Sequence, residues 1–262
     1  MASALLVLSV ALPLPRPAAP RGIWDRTTRG IRIYLAMPRL RGLLALSLSV
    51  AAAGSMVIVN TVVLVQGALG LGETEVALAL AAFGGGSMLS ALALPRILDR
   101  VPDRPVMLAG AALLTIGTAA GPLVSALPGL LALWAALGLG YGLVMTPSGR
   151  LLRRSAAPED RPALFAAQFA LSHACWLLAY PLAGRIGAGP GLDAAFLVLA
   201  AHSASGLVLA LRLWPAGEAD APAHEHPDLS PDHPHLRDHG TRPHSHPVVI
   251  DALHPRWPGV AG

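Results

Sequence analysis

Apolar and polar residues do not alternate along this chain; they segregate into blocks. Six stretches contain no Asp, Glu, Lys or Arg: roughly Leu43–Gln66, Val76–Pro95, Pro105–Leu127, Gly129–Gly149, Ala163–Gly184 and Ala194–Leu211. As helices rising about 1.5 Å per residue, each can cross a hydrocarbon core of about 30 Å. One arginine at the centre of such a helix would cost about 2.5–3.5 kcal/mol on the insertion scale, so six clean runs in succession are not chance. The pattern predicts an all-α, polytopic integral membrane protein with six transmembrane helices.

The breaks between the runs predict the orientation. Before the first run lie Arg16, Arg21, Arg26, Arg29, Arg32, Arg39 and Arg41. The first connection carries Glu73 and Glu75 and no arginine. The second carries Arg96, Arg100 and Arg104. The third, at Leu127–Pro128–Gly129, is uncharged. The fourth carries Arg150, Arg153, Arg154 and Arg161, and the fifth only Arg185. Basic and non-basic breaks alternate, so the positive-inside rule puts both termini in the cytoplasm of a multi-pass protein of the inner (plasma) membrane. An even number of spans requires the same. Three spans precede the Leu127–Pro128–Gly129 turn and three follow it, so the triplets must lie upside down relative to one another. That predicts a 3+3 inverted repeat, an arrangement common in secondary transporters.

Composition narrows the function classes. Of 262 residues, 54% are hydrophobic and 13% charged, with mean hydropathy +0.57. Soluble domains average about 25% charged residues. Too little charge remains for the shell of a soluble enzyme, and the single cysteine, Cys175, excludes a disulfide scaffold. The pI of about 10.2 comes entirely from arginines beside apolar runs, not from one basic face, which argues against a nucleic-acid partner. No catalytic constellation is present: Ser148 lacks the strand–turn–helix setting of a nucleophile elbow, and Gly138, Gly140 and Gly142 follow no strand that would make them a nucleotide fingerprint. No cofactor is expected.

The chain divides into three regions. Residues 1–42 contain an apolar stretch, Ala4–Leu14, read as the remnant of a preceding helix, followed by a basic cytoplasmic linker. Within that linker Trp24, Ile31, Tyr34 and Leu35 fall near one face of a candidate helix suited to an anionic bilayer surface, with a solvated linker as the alternative. Residues 43–214 form the transmembrane domain. Residues 215–262 form a Pro- and His-rich tail with seven acids against three arginines. Its low apolar content predicts disorder.

Polar residues inside the runs must face the bundle or a wet cavity. Asn60, Tyr141, Gln168, His173 and Trp176 are the candidate substrate-pathway residues. Phe169, His173, Trp176 and Tyr180 form one helical stripe that could line an aromatic path. Ordinary helix–helix packing is the alternative for each. No Asp or Glu lies mid-run to carry a coupling proton. In the tail, His224, His226, His233, His235, His239, His244 and His246 are candidate metal ligands, because imidazole nitrogens suit Zn, Ni, Cu or Co.

The segment Pro95-Arg96-Ile97-Leu98-Asp99-Arg100-Val101-Pro102-Asp103-Arg104 resembles the loop signature of the major facilitator superfamily, Gly-x-x-x-Asp-Arg-x-Gly-Arg-Arg. Asp99, Arg100 and Arg104 match; Pro95, Pro102 and Asp103 stand where the signature has Gly, Gly and Arg. Tyr141-Gly142-Leu143-Val144-Met145-Thr146-Pro147-Ser148-Gly149-Arg150 also resembles the fourth span of such a six-helix unit. The resemblance implies a twelve-helix transporter of small molecules, this chain supplying its C-terminal half and needing a second half or a homodimer partner. It assigns Asp99, Arg100 and Arg104 to a gating loop. Efflux is the expected direction. Two other readings stay open. One is a metal-handling membrane protein, since six spans with a His-rich tail also resemble cation-diffusion facilitators, although the paired His and Asp of those spans are missing here. The other is a non-transporting remnant or interaction partner.

Overall fold

The computed structural model describes residues 22–258, apart from 219–220, 227–228, 231–232, 234, 237–242 and 252. The Ala4–Leu14 stretch and His239 therefore lie outside the described residues.

A short helix, α1 (Ile23–Ala36), leads into α2 (Pro38–Val62). The break falls at Met37, which is extended (φ −102°, ψ 128°), because the residue before a proline is driven out of the helical region. Five more long helices follow: α3 (Glu73–Leu98), α4 (Asp103–Ala120), α5 (Leu127–Arg154), α6 (Arg161–Ala188) and α7 (Leu192–Leu213). All six long helices have the length and composition to cross a membrane. Each of the six charge-free runs corresponds to one of them.

The helices outrun the charge-free segments at their ends. Asp103 sits in the first turn of α4, and Arg153 and Arg154 in the last turn of α5. Acid at an N-terminus and base at a C-terminus both complement the helix dipole. The third connection also lies earlier than the Leu127–Pro128–Gly129 turn. Helix α4 ends in a 3-10 turn, Gly121–Leu123, and α5 already begins at Leu127. Pro128 starts a helix here rather than ending one, since a first-turn proline loses no intrahelical bond. A π-helical segment, Val63–Ala68, extends α2; Leu69 N donates to Leu64 O at 3.0 Å, a spacing of five residues.

The packing is reciprocal between triplets. Helix α3 packs chiefly on α5, and α6 on α2; α4 packs on α5, and α7 on α2; α4 and α7 meet each other. Exchanging α2–α4 with α5–α7 maps this set of pairs onto itself. The α3–α5 crossing is made by glycines. A β-carbon on Gly138 would lie 1.9 Å from the Phe83 carbonyl oxygen, and one on Gly86 would lie 2.0 Å from that of Ala135. Buried polar side chains tie the other crossings: Ser49 Oγ donates to Ser203 O at 2.7 Å, and Trp134 Nε1 to Thr61 Oγ1 at 2.8 Å.

Helix α1 does not lie free. Its Tyr34 is buried, while Trp24, Ile31 and Leu35 are exposed, so the expected apolar face splits. Tyr34 Oη donates to Gln168 Oε1 on α6. Arg29 grips Asp160, just ahead of α6, with Nε at 2.6 Å and Nη2 at 2.5 Å from its two oxygens. The tail also returns to the bundle. Among the described residues it builds no core of its own, but Val248, Ile250 and Trp257 join the main buried cluster, and Trp257 lies under the Arg39 guanidinium, 4.7 Å from ring centroid to Cζ.

Candidate functional site

One end of the bundle gathers the charges: the start of α2, the α3–α4 connection, the α5–α6 connection and the end of α7. Asp103 is its centre. The side chain is fully buried, and Oδ1 accepts from Arg150 Nη2 at 2.5 Å and Nε at 3.1 Å. Arg154 Nη2 lies 3.3 Å from Oδ2, an ion pair without hydrogen-bond geometry. A carboxylate removed from water requires such partners. The clamp joins the first turn of α4 to the last two turns of α5, one helix from each triplet. Beside it Arg104 Nε donates to Trp214 O at 2.7 Å, satisfying a carbonyl at the end of α7. A cleft of about 440 Å³ opens there, lined in part by Asp103, Arg104, Arg154 and Glu218. Across the same end, Arg39 Nε donates to Ser155 Oγ at 2.9 Å.

Asp99, Arg100 and Arg104, the residues the resemblance assigns to a gating loop, take different places. Arg104 is engaged as described. Asp99 caps the C-terminal end of α3, and both it and Arg100 are exposed, with no side-chain partner among the described residues. The carboxylate that holds this end together is Asp103, one of the positions where the sequence departs from the signature. Sequence spacing alone marks Asp103 only as an acid near a helix start; its burial follows from α5 bringing Arg150 and Arg154 over it.

The pathway candidates sit at different helix contacts. Asn60 is 3% exposed and donates from Nδ2 to Ala183 O at 3.3 Å, holding α2 to α6. Tyr141 stands edge-on to Phe83, ring centroids 5.5 Å apart, between α5 and α3. Gln168 accepts from Tyr34. The predicted stripe on α6 exists as two ring pairs. His173 lies against Phe169, with centroids 3.9 Å apart, and Trp176 against Tyr180 at 5.0 Å. Phe169, His173 and Tyr180 are exposed, and Trp176 is half-buried over Gly54. The stripe thus forms an outward face of the six-helix unit.

The tail assembles a second constellation. His224, His226, His235, His246 and His254 each bring one ring nitrogen within 4.8 Å of all the others. Antiparallel pairing of β1 (Ala223–His224) with β2 (His244–Ser245) sets His224 opposite His244. His226 and His246 follow two residues after His224 and His244, just beyond the strand ends, and their rings join the group. His244 Nε2 comes within 3.2 Å of His235 Nε2. His233 stays outside the group of five and accepts the His235 backbone N–H at Nδ1. His254, the tail histidine farthest along the chain, joins the group, with Asp251 three residues before it contacting its Nδ1.

Residues 44–251 match the sequence profile of the Major Facilitator Superfamily. The multidrug efflux pumps Tap of Mycobacterium tuberculosis and Mycobacterium bovis are 32% identical to the chain over 144 residues, covering 54% of this chain and 34% of the pump. The match therefore spans about a third of the length of these relatives.

Proposed function

The chain belongs to the major facilitator superfamily, and on that premise we propose that it is the C-terminal six-helix half of a twelve-helix exporter of small molecules. The observation that carries the reading is the Asp103 clamp. It closes one end of the bundle by an ion pair between two helices of opposite triplets, within the loop segment that resembles the family signature. Breaking the pair frees the α4 and α5 ends to separate, which is the local event a two-state gate needs. Asp99 and Arg100, exposed beside it, are the gate's outward contacts, available to a second half.

The reciprocal packing of the triplets supports a 3+3 inverted repeat, with the arginine-bearing end cytoplasmic. Helices α3 and α6 are the least buried in the unit. A second six-helix half laid against them would enclose the aromatic stripe of Phe169, His173, Trp176 and Tyr180, making it one wall of the substrate path. The name of the mycobacterial relatives supports efflux of drug-like molecules. No carboxylate lies mid-run in the six apolar segments, so proton coupling would draw either on a carboxylate of the second half or on His173 or His202.

The test is ethidium accumulation in energised cells expressing the chain with and without an N-terminal six-helix half. Accumulation should fall only for the pair, and the fall should vanish when an uncoupler collapses the proton gradient. An inserted pair that leaves accumulation unchanged makes the chain a non-transporting partner. Cysteines placed at 74 and 157 in a Cys175→Ala background should label from opposite sides of the membrane.

A further inference from the structure

We propose that His224, His226, His235, His246 and His254 form a binding site for one divalent transition-metal ion of the Zn(II), Co(II) or Ni(II) class. The inference stands apart from the transporter reading and rests on geometry, not on the number of histidines in the tail.

The protonation pattern asks for a cation. His224 Nδ1 lies 2.9 Å from the Pro222 carbonyl oxygen, and His254 Nδ1 lies 3.1 Å from Asp251 Oδ1. A carbonyl and a carboxylate only accept, so both Nδ1 atoms carry the proton. In neutral imidazoles that leaves a lone pair on each Nε2. These two Nε2 atoms face each other at 3.1 Å. Two lone pairs at that distance repel unless a positive charge sits beside both. The nearby His226 Nε2 is buried with no hydrogen-bond partner, which is costly for a polar atom unless a ligand satisfies it.

The spacing fits an ion. Imidazole nitrogens bind Zn(II) at about 2.0–2.1 Å, which sets ligands of a tetrahedral site about 3.3 Å apart. The His224–His254 separation of 3.1 Å is close to this, and the 4.8 Å limit on the whole group accommodates the longer trans spacing of a five- or six-coordinate ion. The surrounding contacts follow the pattern of built metal sites. A carboxylate (Asp251) and backbone carbonyls (Pro222, and Pro247 for His246 Nδ1 at 3.1 Å) fix the ring nitrogens that would point away from the metal. An all-imidazole set selects borderline transition metals over Mg(II) or Ca(II), which prefer oxygen.

The site is also placed. Trp257, three residues beyond His254, lies under Arg39 at the charged end of the bundle. An ion held by His254 would therefore fasten the tail against the end that carries the Asp103 clamp.

The experiment uses the full chain, purified in detergent and stripped with chelator, titrated with ZnCl2, NiCl2, CoCl2 and MgCl2. We expect one Zn(II), Co(II) or Ni(II) per chain at micromolar or tighter affinity, a d–d absorption band with Co(II), and no Mg(II) binding. Asp251→Asn should weaken affinity by about 10–100-fold, as loss of an outer partner does. His224→Gln/His254→Gln should weaken it further, and His233→Gln should leave it within about threefold of the parent. Helical circular dichroism of the variants checks that the bundle persists, and because the bundle supplies that signal, a tail variant retains it. Weaker than micromolar binding, several equal equivalents per chain, or a double variant that binds like the parent would each overturn the site; the first would leave a shared proton as the occupant between His224 and His254.

Discussion

Asp103 and Arg150 meet at 2.5 Å with the Asp103 side chain fully buried and the Arg150 side chain 44% exposed. The pair is asymmetric in consequence. Removing Arg150 takes both of its hydrogen bonds from a buried carboxylate and leaves it only the longer Arg154 contact, whereas removing the carboxylate leaves arginines that still reach solvent. Arg150→Ala should therefore disturb the protein more than Asp103→Asn, because a buried charge that has lost its hydrogen bonds is the expensive species. In the reconstituted pair, Asp103→Asn should lower efflux at least tenfold with membrane insertion unchanged, and Asp99→Asn should lower it by a smaller factor. Drug accumulation and membrane-fraction immunoblots, measured together, check this ordering. Equal flux in the parent and Asp103→Asn would remove the clamp from the gate.

Tyr34 gives a pH dependence. Burial raises its phenol above the usual value of 10, with the Cys175 thiol adding to the effect. Below pH 10 the phenol is neutral in both folded and unfolded chains, and its contribution is complete. Above pH 10 the unfolded chain loses a proton that the folded chain keeps, so stability falls as pH rises. Arg29 stays charged through this window because the bond to Asp160 raises its pKa further. Thermal unfolding in detergent should show a decline above about pH 10 that is reduced in Tyr34→Phe. A variant with the same decline would place the effect elsewhere.

The Arg29–Asp160 contact should show measurable coupling. It is two-pronged and only 19% and 4% of its side chains are exposed, so solvent screens it less than a surface pair. A double-mutant cycle with Arg29→Ala and Asp160→Ala should return a coupling of about 1–3 kcal/mol. Zero coupling would mean that α1 is held through Tyr34 instead.

Gly138→Val tests the α3–α5 crossing. Its new carbons would enter the Phe83 carbonyl, which is backbone and cannot swing aside. Overpacking of this kind costs about 1–3 kcal/mol or more. Gly84→Ala, which meets nothing within 4 Å, serves as the control and should leave the thermal midpoint unchanged. If both variants melt alike, the close approach is not what holds the two helices.

The six spanning helices were legible because hydrocarbon excludes charge, and a run of some twenty uncharged residues has few other uses. The close approach at Gly86 and Gly138 depends on which helices meet there, and that is set by tertiary packing. Connections were read less well. The sequence puts a turn at Leu127–Pro128–Gly129, but a proline can begin a helix as readily as it stops one, and only the packing of α5 decides between them.

What the sequence determined by itself is the number of spans, the segregation of arginine to alternate breaks and the family kinship carried by Asp99, Arg100 and Arg104. These follow from hydropathy and local motif, which act on neighbours in the chain. Tertiary structure decided that Asp103 rather than Asp99 becomes the buried acid, that Tyr34 turns inward to Gln168, and that His254 joins four distant histidines. Those outcomes depend on pairs 47, 134 and 30 residues apart. A side chain's partner at such a distance is set by how whole helices and strands pack, and no local pattern encodes it.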